Sequence, residues 1–408
     1  MERTLVLGID AGSAKVAVTL AEIAGGEPHI IGVGLAPCQG VRKGLVVDLA
    51  ATAGAIHEAA AKACEMAGNP SVIRSVVSVS GPHILSLTGS AEVAITRPAQ
   101  GVSPEDIRRV LDQAAAVELA PQREVIHVVP RSYRVDGAEG VMEPLGLAGR
   151  MLAAEAHLIT GEKLPLRNHF RAVAEAGLEV TDYQLGIRAA GAAVLSRQEK
   201  EAGVLLLDIG AETTAVAVYD RGYLWHVSVV PVGGAHITGD IASVLRTPVA
   251  TAEQLKIERG WAATNLAPDT RFELPTPSGL NTREVADRQL AAIIDSRVQE
   301  ILSLAASQVK QSGYAGLFPA GLVLIGGGSQ LRGLVPVAAD CLSLTTRLGT
   351  VAGPVAAGPE FATAAGLVYF GARQVTDEVA VAAETERRAP WTRIKDWFKG
   401  LFGQQPGM

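Results

Sequence analysis

Two stretches of the chain share one pattern of apolar and polar positions. Residues 4–20 (TLVLGIDAGSAKVAVTL) open with an apolar run that ends at Asp10 and turns through Ala11-Gly12-Ser13. They resume with Val16, Val18 and Leu20 on alternate positions. Alternation of that kind predicts a strand, so the segment reads as strand, turn, strand. About 200 residues later, residues 203–219 (GVLLLDIGAETTAVAVY) repeat the design, with Asp208 and Gly210 at the tip, then Thr213 and Thr214. A third apolar run, GLVLI (321–325), leads into Gly326-Gly327-Gly328-Ser329, and a helix is predicted from Gln330 with Ser329 as its cap. Between these landmarks the pattern predicts a helix from Pro104 to about Val117 and strands over 124–135 and 151–159. It further predicts a helix over 163–177, and helices near 251–259 and 282–311.

The repeated hairpin suits phosphate binding. Glycine lets backbone N–H groups approach phosphate oxygens, and Ser13 or Thr213 adds a hydroxyl. Asp10 and Asp208, at the two strand ends, can each hold Mg²⁺ through water, since Mg²⁺ keeps several of its waters. Lys15 can neutralise phosphate charge. A strand follows each glycine turn here, whereas P-loop and Rossmann sites place a helix there. The Gly326–Gly328 turn before a helix is a further candidate nucleotide contact. No GxxxxGK, GxSxG or HExxH motif occurs.

Composition narrows the class. The 408 residues suggest two or three packed units, and 48% apolar residues supply a sizeable core. A net charge of −6 argues against a nucleic-acid-binding surface, so no nucleic-acid partner is expected. Three dispersed cysteines offer neither a disulfide framework nor a zinc ribbon. The longest uncharged run, Ser312–Leu331, contains Pro319 and six glycines and reads as loop, strand and turn, so no integral membrane span is expected.

Only seventeen residues are aromatic, and Trp391, Trp397, Phe398 and Phe402 fall in one twelve-residue stretch. On a helix, Trp391, Ile394, Trp397, Phe398, Leu401 and Phe402 share an arc of roughly 140°. Thr392, Arg393, Lys395, Asp396 and Lys399 occupy the other side. Arg387–Phe402 carries a local charge of +4, leaving −10 on the rest of the chain. A cationic helix with an aromatic face on an acidic body fits an interfacial anchor on an anionic membrane. Residues 377–388, polar and alanine-rich, read as a flexible linker before that helix at 389–402.

The order hairpin, hairpin, GGG turn resembles the actin/Hsp70/sugar-kinase ATPase superfamily. Within it the chain is similar to the FtsA family of bacterial cell-division proteins. The likeness runs through IIGVG (30–34), the Lys43-Gly44 turn, SVSGPHI (78–84), VIHVVPRSYRVDG (125–137), PLGLAGRML (144–152), RAVAEAGLEV (171–180) and RTPVATAEQLKIERG (246–260). It implies an α/β, two-lobed actin-like fold with a duplicated core. The first lobe would comprise 1–84 and 161–198, interrupted by an α+β subdomain at 85–160. The second would have its core at 199–231 and 306–376, with an outer subdomain at 232–305.

The resemblance also implies ATP with Mg²⁺ as cofactors. It assigns phosphate contacts to Asp10, Gly12, Ser13, Lys15, Asp208, Gly210, Thr213 and Thr214, and nucleoside contacts to Gly327 and Gly328. Glu253 and Lys256, at i and i+3 on one helical face, would flank the adenosine. It further implies polymerisation into actin-like filaments and binding of the C-terminal tail of the tubulin-like protein FtsZ through Arg297, with Arg283 and Lys256 as weaker candidates. Later division proteins would meet the inserted subdomain, at the cytoplasmic face of the cell membrane at the division site. One departure bears on activity. The superfamily's second hairpin reads roughly DIGGGTTD, and here Ala211, Glu212 and Ala215 replace two glycines and the distal aspartate. Hydrolysis depends on placing charge and water at the γ-phosphate, so weak or no ATPase activity is expected. The competing reading is a soluble phosphotransferase on the same core. It would need a carboxylate base beside an acceptor pocket, and no such residue stands out.

Overall fold

The computed structural model describes residues 4–275, 282–352 and 357–383. The aromatic, cationic segment from Trp391 to Phe402, with Ile394, Leu401, Arg393, Lys395 and Lys399, lies outside the described residues.

The first lobe starts with strands β1 (Thr4–Ala11), β2 (Lys15–Ala24) and β3 (Glu27–Pro37). A small hairpin, β4 (Val41–Arg42) and β5 (Leu45–Val46), leads into helix α1 (Leu49–Met66) and strand β6 (Arg74–Val79). Asp48 caps α1, its side chain accepting from the Ala51 N–H at 2.9 Å. Then comes the inserted unit: β7 (Leu85–Ala94), α2 (Pro104–Ala114), β8 (Arg123–Val135), β9 (Ala138–Val141) and β10 (Met151–Glu162). Its four strands form a separate sheet in the order β7-β10-β8-β9. Ser103 and Asp106 close a capping box on α2, with Pro104 in its first turn, and the helix ends at Ala114, short of Val117. The chain returns to the lobe through α3 (Lys163–Glu175), β11 (Glu179–Leu185), α4 (Gly186–Val194) and α5 (Arg197–Ala202).

The second lobe repeats the first. It contains β12 (Val204–Ile209), β13 (Thr214–Asp220), β14 (Tyr223–Val230), α6 (Gly234–Val244), α7 (Val249–Arg259), β15 (Arg271–Pro275) and β16 (Thr282–Ala286). It continues through α8 (Asp287–Gln311), β17 (Leu322–Ile325), α9 (Leu334–Leu342) and β18 (Thr346–Leu348). Helix α10 (Ala362–Ala383), expected up to residue 376 in the second lobe, instead crosses back and packs on β1, β6 and α4 of the first, where Gly8 and Gly371 let the backbones approach. The two large sheets run β3-β2-β1-β6-β11 and β14-β13-β12-β17-β18. In each, the first three strands in sequence pair antiparallel and the last two add in parallel. Identical order and sense in both sheets is the duplication that the two hairpins announce. Leu7, Ile9, Val16, Val18 and Leu20 on one side, and Leu205, Leu207, Val216 and Val218 on the other, are essentially buried, because strands covered on both faces must be apolar throughout.

Three further expectations are corrected. Residues 282–286 pair with β15 as a strand, with Phe272, Leu274 and Val285 turned inward, so the long helix starts at Asp287. The glycine turn runs into a 3₁₀ turn, Gly327–Gln330, and the α-helix begins only at Leu334. Gly333, at φ +77°, breaks the path, and the Ser329 hydroxyl is spent on the Gly326 carbonyl at 2.7 Å. Residues 377–383 of the expected linker continue α10, in keeping with the high helix propensity of alanine. No helix among the described residues is long and apolar enough to cross a membrane.

Candidate functional site

Between the lobes lies a cavity of about 640 Å³ into which both hairpin tips and the glycine turn project. The tips are closed alike: the Gly12 N–H donates to the Lys15 carbonyl at 3.0 Å and the Gly210 N–H to the Thr213 carbonyl at 2.9 Å. Asp10, Gly12, Ser13, Lys15, Asp208, Gly210, Thr213, Glu253, Lys256, Gly327 and Gly328 all line this space. A Cβ on Gly328 would stand 2.5 Å from Cγ2 of Ile209, so the bare backbone there is a requirement of the turn against β12.

Thr214 is the exception and a correction. It is fully buried, its hydroxyl donating to the Val232 carbonyl at 2.8 Å, and it does not line the cavity. Strand alternation explains the result: Thr213 and Ala215 face the cleft, so Thr214 faces the opposite side.

The floor of the cavity is a pair of half-buried carboxylates. Asp10 accepts from the Ser78 hydroxyl at 2.6 Å, and burial pushes its carboxyl above the ordinary range. Asp208 is pushed up to about 7, first by burial and then by the charge of Asp10, with Thr363 (Oγ1–Oδ2 3.4 Å) and Lys15 partly offsetting. Burial pulls the Lys15 ammonium down, while Glu360, Asp10 and Asp208 hold it charged. Two carboxylates that cost free energy to ionise, beside one lysine, suit a divalent cation with phosphate. The described residues contain no group of three or more His, Cys, Asp or Glu that could hold a metal. A cation here would therefore rest on Asp10, Asp208, water and phosphate oxygens, as Mg²⁺ commonly does.

At the other end, Lys256 on α7 donates to Glu253 at 2.7 Å, to the Thr238 hydroxyl at 2.8 Å and to the Gly234 carbonyl at 3.1 Å. The pair therefore ties α7 to the start of α6 and presents its remaining edge to the cavity. The first N–H groups of α6 do not face the cavity as free donors: Gly234 and Ala235 donate to the carbonyls of Gly210 and Ala211 at 2.9 and 2.7 Å.

The cavity also takes in Ser78, Ser80, His169, Gly234, Glu360 and Thr363, which sequence reasoning missed. Ser78 and Ser80 follow from the duplication. They sit at the end of β6, the counterpart of β17 with its glycine turn, and SVSG was already visible as a motif. The glycine pair 233–234 just after β14 was a second available signal. His169 on α3, Glu360 in the 3₁₀ turn Pro359–Phe361 and Thr363 at the start of α10 arrive from remote segments with no local signature.

Of the three partner candidates, Lys256 lines the cavity, whereas Arg297 and Arg283 lie outside it and are engaged within the chain. Arg297 makes a two-pronged pair with Asp240 at 2.6 and 2.8 Å and reaches Glu300 at 2.5 Å. Arg283 donates to the Leu245 carbonyl. Neither is a free cation, and an acidic ligand at Arg297 has to exchange with Asp240.

Comparison with known proteins agrees with this architecture. A family model described as "Cell division protein FtsA" matches residues 205–366, and one described as "SHS2 domain inserted in FTSA" matches residues 81–160. The cell division protein FtsA of Pseudomonas aeruginosa is 35% identical over 412 residues, covering 98% of both chains. Among solved structures, a PilM–PilN type IV pilus biogenesis complex superposes with a TM-score of 0.65 at 19% identity, covering 91% of this chain and 99% of the other. MreB5 of Spiroplasma citri bound to ADP superposes with a TM-score of 0.55 at 12% identity, covering 92% and 98%. Both likenesses concern the fold.

Proposed function

The chain belongs to the FtsA family of cell-division proteins, and on that premise we propose that it is an ATP-binding, actin-like filament former that ties FtsZ filaments to the cytoplasmic membrane. The observation that carries the nucleotide part is the pair of facing hairpins, with Asp10, Asp208 and Lys15 between them at the floor of one cavity. The P. aeruginosa relative supports the cell-division role, and the ADP named with MreB5 supports the choice of ligand class.

In this reading Gly12, Ser13, Gly210 and Thr213 bind phosphate oxygens, and Lys15 neutralises their charge. The Gly327-Gly328 turn and the Glu253–Lys256 pair flank the nucleoside. Asp10 and Asp208 would hold Mg²⁺ through water, and its charge would favour the ionised form of both carboxylates. Ala215 stands where hydrolytic relatives carry an aspartate, so this chain has no carboxylate there to orient an attacking water. Binding with slow turnover follows.

The membrane part rests on the segment 389–402. Its three basic residues, with neighbouring Arg387 and Arg388, and its four rings on one face match an interfacial helix that folds on docking. FtsZ's acidic tail would reach the outer subdomain at Arg297 in exchange for Asp240, and later division proteins would meet the inserted sheet.

The test is co-sedimentation with vesicles containing anionic lipid, comparing the full chain with one ending at Ala389. The full chain is expected in the pellet and the truncated one in the supernatant. Equal recovery of both with vesicles would remove the anchor.

A further inference from the structure

The Lys43-Gly44 turn, part of the family likeness, plays no role in the phosphate assignment above. Its geometry gives it one. Arg42 and Leu45 pair across a two-residue turn in which Lys43 and Gly44 have φ of +47° and +77°, the geometry of a tight hairpin turn of the primed kind. Gly44 lines the cavity, and a Cβ on it would fall 2.4 Å from the Ser80 carbonyl oxygen, so the turn is seated hard against the end of β6. That seating aims the Lys43 N–H across the cleft at Glu212 of the second hairpin, whose Oε2 accepts it at 2.6 Å. Oε1 of the same carboxylate accepts from the Arg42 guanidinium at 2.9 Å. Burial pushes this carboxylate up, but the Lys43 N–H, the Arg42 guanidinium and nearby Ser13 on the first hairpin hold it below the ordinary carboxylate range.

Both donors belong to the first lobe, and the acceptor belongs to the second. Glu212 is thus a negatively charged clamp across the mouth of the cleft, lining the cavity near the Ser13 hydroxyl that the phosphate assignment needs. With the nucleoside at Glu253, Lys256 and Gly327-Gly328, the end of the phosphate chain is the part of the ligand that meets the hairpin tips. We propose that Glu212, held by Arg42 and the Lys43 N–H, makes this cleft discriminate against a terminal phosphate. A nucleoside diphosphate fits beneath the closed clamp, whereas a triphosphate must push the carboxylate off Arg42 and the Lys43 N–H and so loosens one lobe from the other. The superfamily's glycine at this position has neither the charge nor the reach. The inference rests on the nucleotide-binding reading above and adds which phosphate state the site prefers.

The experiment is equilibrium binding of fluorescent ATP and ADP analogues, each with Mg²⁺, to the full-length protein and to its Glu212→Gln variant. Glutamine keeps the length and an acceptor for the Lys43 N–H but removes the charge. The wild type is expected to bind ATP no more tightly than ADP. Glu212→Gln is expected to move the ATP-to-ADP affinity ratio about tenfold towards ATP, with ADP affinity changed less than threefold. A ratio that stays within twofold of the wild type, or equal gains for both nucleotides, would overturn the proposal, because a purely structural residue has no reason to sense the third phosphate. Binding of neither nucleotide to either protein would refute the nucleotide-binding reading itself, and the clamp's discriminating role with it.

Discussion

The carboxylate pair at the floor of the cleft makes a measurable demand on stability. Asp208 is raised from 3.8 to about 7 by burial and by the charge of Asp10, so its ionised form is disfavoured in the folded chain. At about 1.4 kcal/mol for each tenfold in acidity, the full penalty is about 4 kcal/mol. One edge of the carboxylate faces the open cavity, and water there screens the charge, which brings the expected cost to about 2 kcal/mol. The sign follows from proton counting. The folded chain keeps the Asp208 proton to higher pH than the unfolded chain does, so this group subtracts stability as pH rises from about 4 to about 7. Asp208→Asn removes the charge at nearly constant shape, together with its repulsion of Asp10. In protein free of nucleotide and divalent cation, the variant is expected to melt about 2–5 °C above wild type at pH 8. At pH 5, where most of the native carboxyl is already protonated, about a third of that gain should remain. Calorimetry at the two pH values checks it. A variant that gains equally at both, or that melts below wild type at pH 8, would show that the pair carries no such penalty.

Other residues give sharper local outcomes. Asp106 on α2 is fully buried and accepts from Thr96 N–H and Oγ1, Ser103 N–H and Oγ, and Arg109, at 2.6–3.0 Å. Asp106→Ala leaves those donors unpaired and should cost about 3 kcal/mol, read as earlier urea unfolding or tryptic cleavage within residues 85–160. Since these bonds hold the carboxyl well below the ordinary range, the same contribution should fade as the wild type is taken below about pH 4. Arg297→Ala should weaken a synthetic FtsZ tail peptide about fivefold in a calorimetric titration, about 1 kcal/mol. An unchanged affinity would move the docking site away from α8.

Much of the core was legible because it is built from alternation. Buried strands must be apolar and hairpin tips must turn, so the two Asp–Gly hairpins and the GGG turn could be read directly, and the shared sheet order follows from them. Thr213 and Thr214 show where the reading fails. Adjacent positions on a strand face opposite ways, and the side that meets the cleft is set by the register of β13 against β12 and β14. The helix expected at Gln330 was displaced to Leu334 by the left-handed backbone at Gly333, which a capping pattern alone does not reveal. Glu212 shows the deepest limit. As a sequence feature it was only a lost glycine, because its meaning depends on Arg42 and Lys43, some 170 residues away across the cleft. Arg297 likewise looked like a free cation until Asp240 was placed beside it.

The central claim is that the two facing hairpins form a nucleotide site, and Lys15 tests it most directly. It is the cation that lines the cavity beside both Asp10 and Asp208. Equilibrium binding of ATP with Mg²⁺ to the full chain should be saturable, and Lys15→Ala should weaken it at least about tenfold, in line with loss of a charge-assisted phosphate contact. No saturable binding by the wild type, or equal affinity in the two proteins, would contradict the account.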